Sequence, residues 1–295
     1  MIARLSLFAW LVLPMAADAA PLQFDAPDGT ISLALSIYSA DDAQGAPELQ
    51  TELSRPVELP PGTYVYGFDS YPWRSAPFEH TYSGTRIELG AVAIASPSGA
   101  AADLTLHSAS GGRLVLPVSL DKQLAAPLGA MVLRRDLAET TIPLHVHAGE
   151  VARLSLGAID LQPGKLPAEK PVFALPADSD LIAATFHGER TTLALVPGRY
   201  RLLGRFSQGV VDVEVPAAET RQVETLHAYW RSLAREGDFS VSLDGLRRVL
   251  QAGSRGEALF LGSGRTLTVR AGDDLVAELQ MGERHEVTLW QRSDG

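Results

Sequence analysis

The residue types best placed to bind a metal are His145 and His147. Residues two apart on a strand face the same side, so both imidazoles can meet one ion, with Glu150 or His107 needed as a further ligand. The competing reading sets both histidines on a solvent face while Leu144 and Val146 face a core. His80, His187, His227 and His285 stand singly near turns or strand ends. Acidic clusters occur at Asp41-Asp42, Asp178-Ser179-Asp180 and Asp273-Asp274, but none has the alternating-oxygen spacing of a calcium loop, and turn chemistry accounts for them. Gly253-Ser254-Arg255-Gly256 and Gly262-Ser263-Gly264-Arg265 have the glycine content of phosphate loops. No lysine follows either one, and their strand-like flanks make them hairpin turns. The sequence contains no Gly-x-Ser-x-Gly elbow, Walker loop or dinucleotide fingerprint. No cofactor and no catalytic set is therefore expected, although paired carboxylates that converge only in three dimensions leave no sequence pattern.

Binding chemistry is concentrated elsewhere. Tyr64, Tyr66, Phe68, Tyr71, Trp73, Phe78 and Tyr82 form the densest aromatic run in the chain. Tyr64, Tyr66 and Phe68 alternate and should point inward. Tyr71, Trp73 and Arg74 follow among Ser70, Pro72, Ser75, Ala76 and Pro77, in a segment that reads as a loop. Two readings stand. The loop either folds over the open end of a core, or Tyr71, Trp73 and Arg74 form a contact site for a protein or sugar partner, since Tyr, Trp and Arg dominate binding hot spots.

The elements that must hold these residues are strands. Residues 31–37 alternate apolar and small polar types, and so do 104–106, 211–215, 239–243 and 267–269, with Pro and Gly between the runs. Residues 226–235 and 246–251 fit a short helix, a strand end or a linker equally well. Four segments share one form, an alternating strand, a small turn with Gly or Ala, then a second strand: 79–89, 144–154, 213–223 and 279–289. Leu59-Pro60-Pro61-Gly62-Thr63-Tyr64 is echoed by Leu195-Val196-Pro197-Gly198-Arg199-Tyr200, where Pro and Gly turn the chain tightly and Tyr points inward. The second segment lacks this element, and Gly262-Ser263-Gly264-Arg265-Thr266 replaces it in the last. The spacing of the segments is that of a small β-sandwich repeated in tandem.

Composition narrows the function classes. The chain has no cysteine, which removes disulfides, thiol catalysis, Cys-ligated metals and a lipoprotein anchor. A net charge of −10 disfavours nucleic acid as a partner. The N-terminus has the order of a secretory signal: Arg4, an apolar run from Leu5 to Met15, then Ala17-Asp18-Ala19 as a cleavage site. The run is shorter than the about 20 residues a membrane-spanning helix needs, and no later stretch is long and apolar enough to span.

The Leu-Pro-Pro-Gly-Thr-Tyr pattern, its alternating strand and the Gly-Glu or Gly-Thr hairpin that follows resemble the PEGA and transthyretin-like, or carboxypeptidase-regulatory-like, modules of bacterial envelope proteins. Phe239-Ser240-Val241-Ser242-Leu243-Asp244-Gly245 is the most PEGA-like segment. The resemblance implies an all-β chain of tandem small Ig-like or transthyretin-like β-sandwich modules after a signal peptide, used for adhesion, cell-wall contact or assembly without catalysis. The expected division is a signal peptide at 1–19 and modules at 20–95, 96–165, 166–231 and 232–295, with linkers at 95–102, 164–171 and 231–238. The expected role is a non-catalytic periplasmic or secreted protein that binds an envelope protein or polysaccharide. The alternative is a carbohydrate-binding module protein or an unrecognised polysaccharide-active enzyme. N-terminal sequencing of the extracytoplasmic protein should find a mature end at or within a residue or two of Ala20. Recovery of a chain starting at Met1 from the cytosol would refute export.

Overall fold

The structure, a computed structural model, describes residues 19–31, 33–68, 71–97, 99–162, 166, 170–204, 207–208, 210–232, 239–243, 246–250, 255–262, 266–271, 274–280 and 286–291. Residues 1–18 of the expected signal peptide at 1–19 lie outside the described residues. So do Ser70, Phe206, Asp244-Gly245, Asp273, His285, residues 233–238 and both glycine–serine segments at 251–254 and 263–265. Apart from a short 3-10 turn, Ala40–Asp42, the described elements are all β-strands.

The strands form a sandwich-like module that recurs. In the first unit β1 (Ala20–Asp25), β2 (Leu35–Ser39), β3 (Leu49–Thr51), β4 (Val57–Leu59), β5 (Gly62–Phe68), β6 (Phe78–His80) and β7 (Thr85–Glu88) make two sheets, in the orders β4-β1-β7 and β3-β2-β5-β6. The first strand pairs antiparallel with β4 and parallel with β7, the last strand of the unit. The second unit repeats this with β8 (Gly90–Ala95), β9 (Leu104–Ser108), β10 (Leu114–Pro117), β11 (Gln123–Ala126), β12 (Gly129–Arg135), β13 (Thr141–Val146) and β14 (Val151–Ser155), in sheets β11-β8-β14 and β10-β9-β12-β13. The third uses β15 (Gly157–Gln162), β16 (Val172–Pro176), β17 (Ala184–Phe186), β18 (Thr192–Leu195), β19 (Gly198–Gly204), β20 (Ser207–Gln208) and β21 (Val211–Val215), closed by the start of β22 (Thr220–Ser232). The rest of β22 opens the fourth unit, with β23 (Phe239–Leu243), β24 (Leu246–Leu250), β25 (Arg255–Leu261), β26 (Thr266–Ala271), β27 (Asp274–Gln280) and β28 (Glu286–Gln291). The segments at 226–235 and 246–251 are strand wherever they are described.

Two sequence expectations change in this frame. The repeated segment at 79–89 and its equivalents are not hairpins, because β6 and β7, β13 and β14, and β21 and β22 lie in opposite sheets. The Pro-Gly element is likewise a corner, carrying the chain from the sheet of β4 to that of β5. The phenols fasten these corners. Tyr64 Oη donates to Pro60 O at 2.9 Å, and Tyr200 Oη to Val196 O at 2.7 Å. The second unit keeps the corner as Pro127-Leu128-Gly129-Ala130-Met131, with buried Met131 at the tyrosine position. A thioether fills the same space without the hydrogen bond, which hid the element from a search for tyrosine.

The joints between units are strands rather than loops. Only Leu89 separates β7 from β8, only Leu156 separates β14 from β15, and β22 runs from the third unit into the fourth unbroken. Strand Gly90–Ala95, expected at the end of the first module, pairs with β11 and β14. Leu89 and Leu156 are fully buried, and each is held on both sides. Their amides donate to Asp25 O and Ala95 O, and their carbonyls accept from Gly149 N and Ala218 N in the next unit's last corner. A second link recurs. Ile31, after the first strand of unit one, pairs in parallel with Leu124, and Ala101 pairs with Leu193. Ser207–Gln208 does the same to Leu259–Phe260. Each of these three covers the outer edge of a strand in the next unit.

The core follows the joints. One hydrophobic cluster joins Leu22, Phe24, Ile37 and Phe68 to Val92, Leu106 and Leu133 across the first joint, and a second joins Ile159, Val172 and Phe186 to Leu259 and Leu261. Gly157 is where this packing is tightest, since a Cβ there would lie 2.1 Å from Pro216 O and 2.5 Å from Val215 Cγ1. Gly157→Ala should therefore cost about 1–3 kcal/mol by overpacking against backbone. A urea melt with an unchanged midpoint would show that the joint is looser than described.

Candidate functional site

The aromatic loop after β5 is built on the strand that precedes it. Tyr64, Tyr66 and Phe68 are buried as expected, and Val65 and Gly67 between them are buried as well, so this strand is covered on both faces. Ser75 then exchanges two hydrogen bonds with Tyr66: Ser75 N donates to Tyr66 O at 2.8 Å and Tyr66 N donates to Ser75 Oγ at 3.0 Å. The returning chain thus runs along β5. It can lie this close because residue 67 is glycine, whose added Cβ would sit 2.7 Å from Arg74 Nη1 and 2.9 Å from Trp73 O.

Trp73 packs edge-on to Tyr66 at 5.7 Å and tilted on Phe68 at 5.9 Å, leaving part of its indole outside. Tyr71 is also half-buried against the core, and Pro72, Ala76 and Pro77 are exposed. The burial around Tyr66 pushes its phenol well above the ordinary tyrosine range. Arg74 is engaged within the first unit itself. Its Nε donates to Ala43 O at 3.1 Å, its Nη1 to Tyr71 O at 2.6 Å and Trp73 O at 2.8 Å, and its carbon centre lies 3.9 Å above the Tyr38 ring. Arg74 clamps the loop, and the outer faces of Tyr71 and Trp73 are what the loop presents.

His145, on the edge strand β13, and His147, just past its end, are exposed side by side with ring centroids 4.5 Å apart. His107 is on β9, beyond β12, and both its ring nitrogens have partners, Thr105 Oγ1 at 2.9 Å and Gly112 O at 3.0 Å. Among the described residues no three His, Cys, Asp or Glu side chains converge as metal ligands. Asp41-Asp42 forms the 3-10 turn, and Asp178-Ser179-Asp180 forms a turn in which Asp180 pairs with Arg201 at 2.8 Å.

A site that sequence reading missed lies between the second and third units. Arg135 ends β12, and its partly buried guanidinium donates through Nε to Ala102 O at 2.9 Å, through Nη1 to Ala183 O at 3.4 Å and through Nη2 to Ala194 O. Desolvation lowers it to about 10, a loss that the nearby Tyr200 and Asp103 offset in part. Tyr200 lies in the same cleft and is pushed up to about 12 by burial, against the pull of Arg135. The available signal was the period of two. Met131, Leu133 and Arg135 share one face, so the arginine follows two buried residues inward.

No protein-family model matches the chain, and no curated protein matches it. Among solved structures it is similar to the Bacillus anthracis TIE protein, at 7% identity over 92% of this chain and 73% of that one, with a TM-score of 0.19. It is also similar to the major pilin subunit of Bacillus cereus, at 10% identity over 92% and 98% of the two chains, with a TM-score of 0.18. A third likeness is to the pilus adhesin SpaC of Lactobacillus rhamnosus GG, at 9% identity over 92% of this chain and 43% of that one, with a TM-score of 0.17. Superpositions this loose carry no argument, and the architecture rests on the strand pairing above.

The clamp can be tested alone. Arg74→Met keeps the aliphatic stem and removes the three hydrogen bonds, so it should cost about 1–2 kcal/mol and make residues 71–77 the first site of proteolysis. Unchanged melting and cleavage would show that Trp73 and Ser75 hold the loop without it.

Proposed function

We propose that this chain is a non-catalytic β-repeat protein of the bacterial envelope or cell surface, exported by its N-terminal signal, which binds a partner protein or envelope component. The observation that carries this reading is the construction of the joints. A strand passes from each unit to the next with at most one residue between, and a segment of the earlier unit adds to a sheet of the later one. Units joined by flexible linkers move independently, whereas shared strands and a shared core hold neighbouring units in register. Such a chain suits display and spacing. The proposed contact surface is the loop of the first unit, with Tyr71 and Trp73 facing the partner and Arg74 keeping them in place. Large, rigid aromatic faces with a polar handle suit a hot spot, and a pre-ordered loop loses little entropy on binding.

Co-sedimentation tests the reading. The mature chain is mixed with envelope fractions, with purified peptidoglycan and with exopolysaccharide, and wild type is compared with Trp73→Ala. Retention that protease treatment of the envelope fraction abolishes, and that falls at least about tenfold in a variant still melting cooperatively, supports a protein partner. Retention by protein-free polysaccharide alone moves the assignment to carbohydrate binding. No retention by any fraction, or retention untouched by Trp73→Ala, overturns the proposed surface.

A further inference from the structure

The cleft between the second and third units is a cavity of about 560 Å³, within the size range of small-molecule sites. Its walls come from elements of both units. Leu104, Leu133 and Ile142 stand on one side; Leu195, Val196 and Pro197, at the third unit's corner, stand on the other. This apolar lining contains one partly buried cation, Arg135.

Arg135 has no ion-pair partner among the described residues, and the nearby Tyr200 and Asp103 offset its desolvation only in part. A guanidinium has five N–H groups, and its hydrogen bonds to the carbonyls of Ala102, Ala183 and Ala194 use three. Carbonyl dipoles satisfy donors but do not neutralise a charge. The nearby Asp103 carboxylate is instead paired with Arg190. Two N–H groups remain, the number that one carboxylate takes in a bidentate pair. A desolvated cation without a counter-ion is costly, and an anion arriving with its own apolar body offsets that cost while covering the walls.

We propose that this cleft binds a small amphipathic carboxylate, its carboxylate on Arg135 and its apolar body between Ile142 and Val196. Asp178 lies exposed at the mouth and Arg199 beside it, so the rim adds no net charge. A single interior cation suits a monoanion better than a phosphate dianion. The proposal is independent of the aromatic loop, which lies in the first unit.

Calorimetry with octanoate, octan-1-ol and inorganic phosphate tests it on the mature chain. Octanoate should bind at least about tenfold more tightly than the alcohol, which matches its body and lacks its charge, and phosphate should not compete. Ile142→Trp narrows the cleft while keeping Arg135, and it should weaken octanoate at least about tenfold while the melting temperature holds. Arg135→Met, provided it still melts cooperatively, should abolish the preference for the acid over the alcohol. Equal binding of acid and alcohol, octanoate affinity unchanged by Ile142→Trp, or no octanoate heat at millimolar concentration would each overturn the site.

Discussion

The parallel pairing of the first and last strands of each unit is the constraint on which the rest of the chain depends. A strand that ends a unit beside its first strand, and parallel to it, leaves the unit travelling in the direction in which the chain entered. The next unit can then begin as a direct continuation, and Leu89, Leu156 and the unbroken β22 are the result. Antiparallel closure would have returned the chain to its entry point and required a loop to start again. The same geometry lays the earlier unit against the later one, so the core runs through the first joint.

Strand identity was legible in the sequence because alternation reports which residues face a core, and in β9 Leu104, Leu106 and Ser108 are buried while Thr105 and His107 between them are less so. Sheet membership was not legible. A period of two says which side of a strand is buried and nothing about its neighbour, and Gln23↔Arg86 or Arg153↔Ala93 pairs residues far apart in the chain. Two strands with a short turn between them read as a hairpin from sequence, and here they are corners. The same gap explains the joints. Alanine, proline and glycine near residue 95 look like a linker, yet Ala101 belongs to a strand pair with Leu193.

The two candidate sites show the complementary limits of composition. The aromatic run drew attention because tryptophan and tyrosine are conspicuous, and the structure adds what composition could not, that Gly67 admits the loop to the strand and Arg74 ties it there. Arg134-Arg135 carries no comparable signal in composition. Only the phase of the alternation distinguishes them: Arg134 is exposed, while Arg135 bonds three carbonyls between two units. An arginine in phase with buried residues is worth examining wherever two modules abut.

The edge-covering segments carry a consequence for biogenesis. A polypeptide emerges from its ribosome, or from any translocation channel that follows, with its N-terminal end first. When Gln123–Ala126 emerges, the residues around Ile31 that will lie on its edge are already outside, and the same order holds for Ala101 with Thr192–Leu195 and for Ser207–Gln208 with β25. A nascent strand therefore meets a template from its own chain before it meets another molecule. Edge strands left open are where neighbouring chains add and aggregate. In β4, to which no described segment adds, the chain uses Pro56 and exposed Glu58 where the following units have Gln123 and Ala125, or Thr192 and Ala194. Vectorial assembly guards the later units, and proline with charge guards the first.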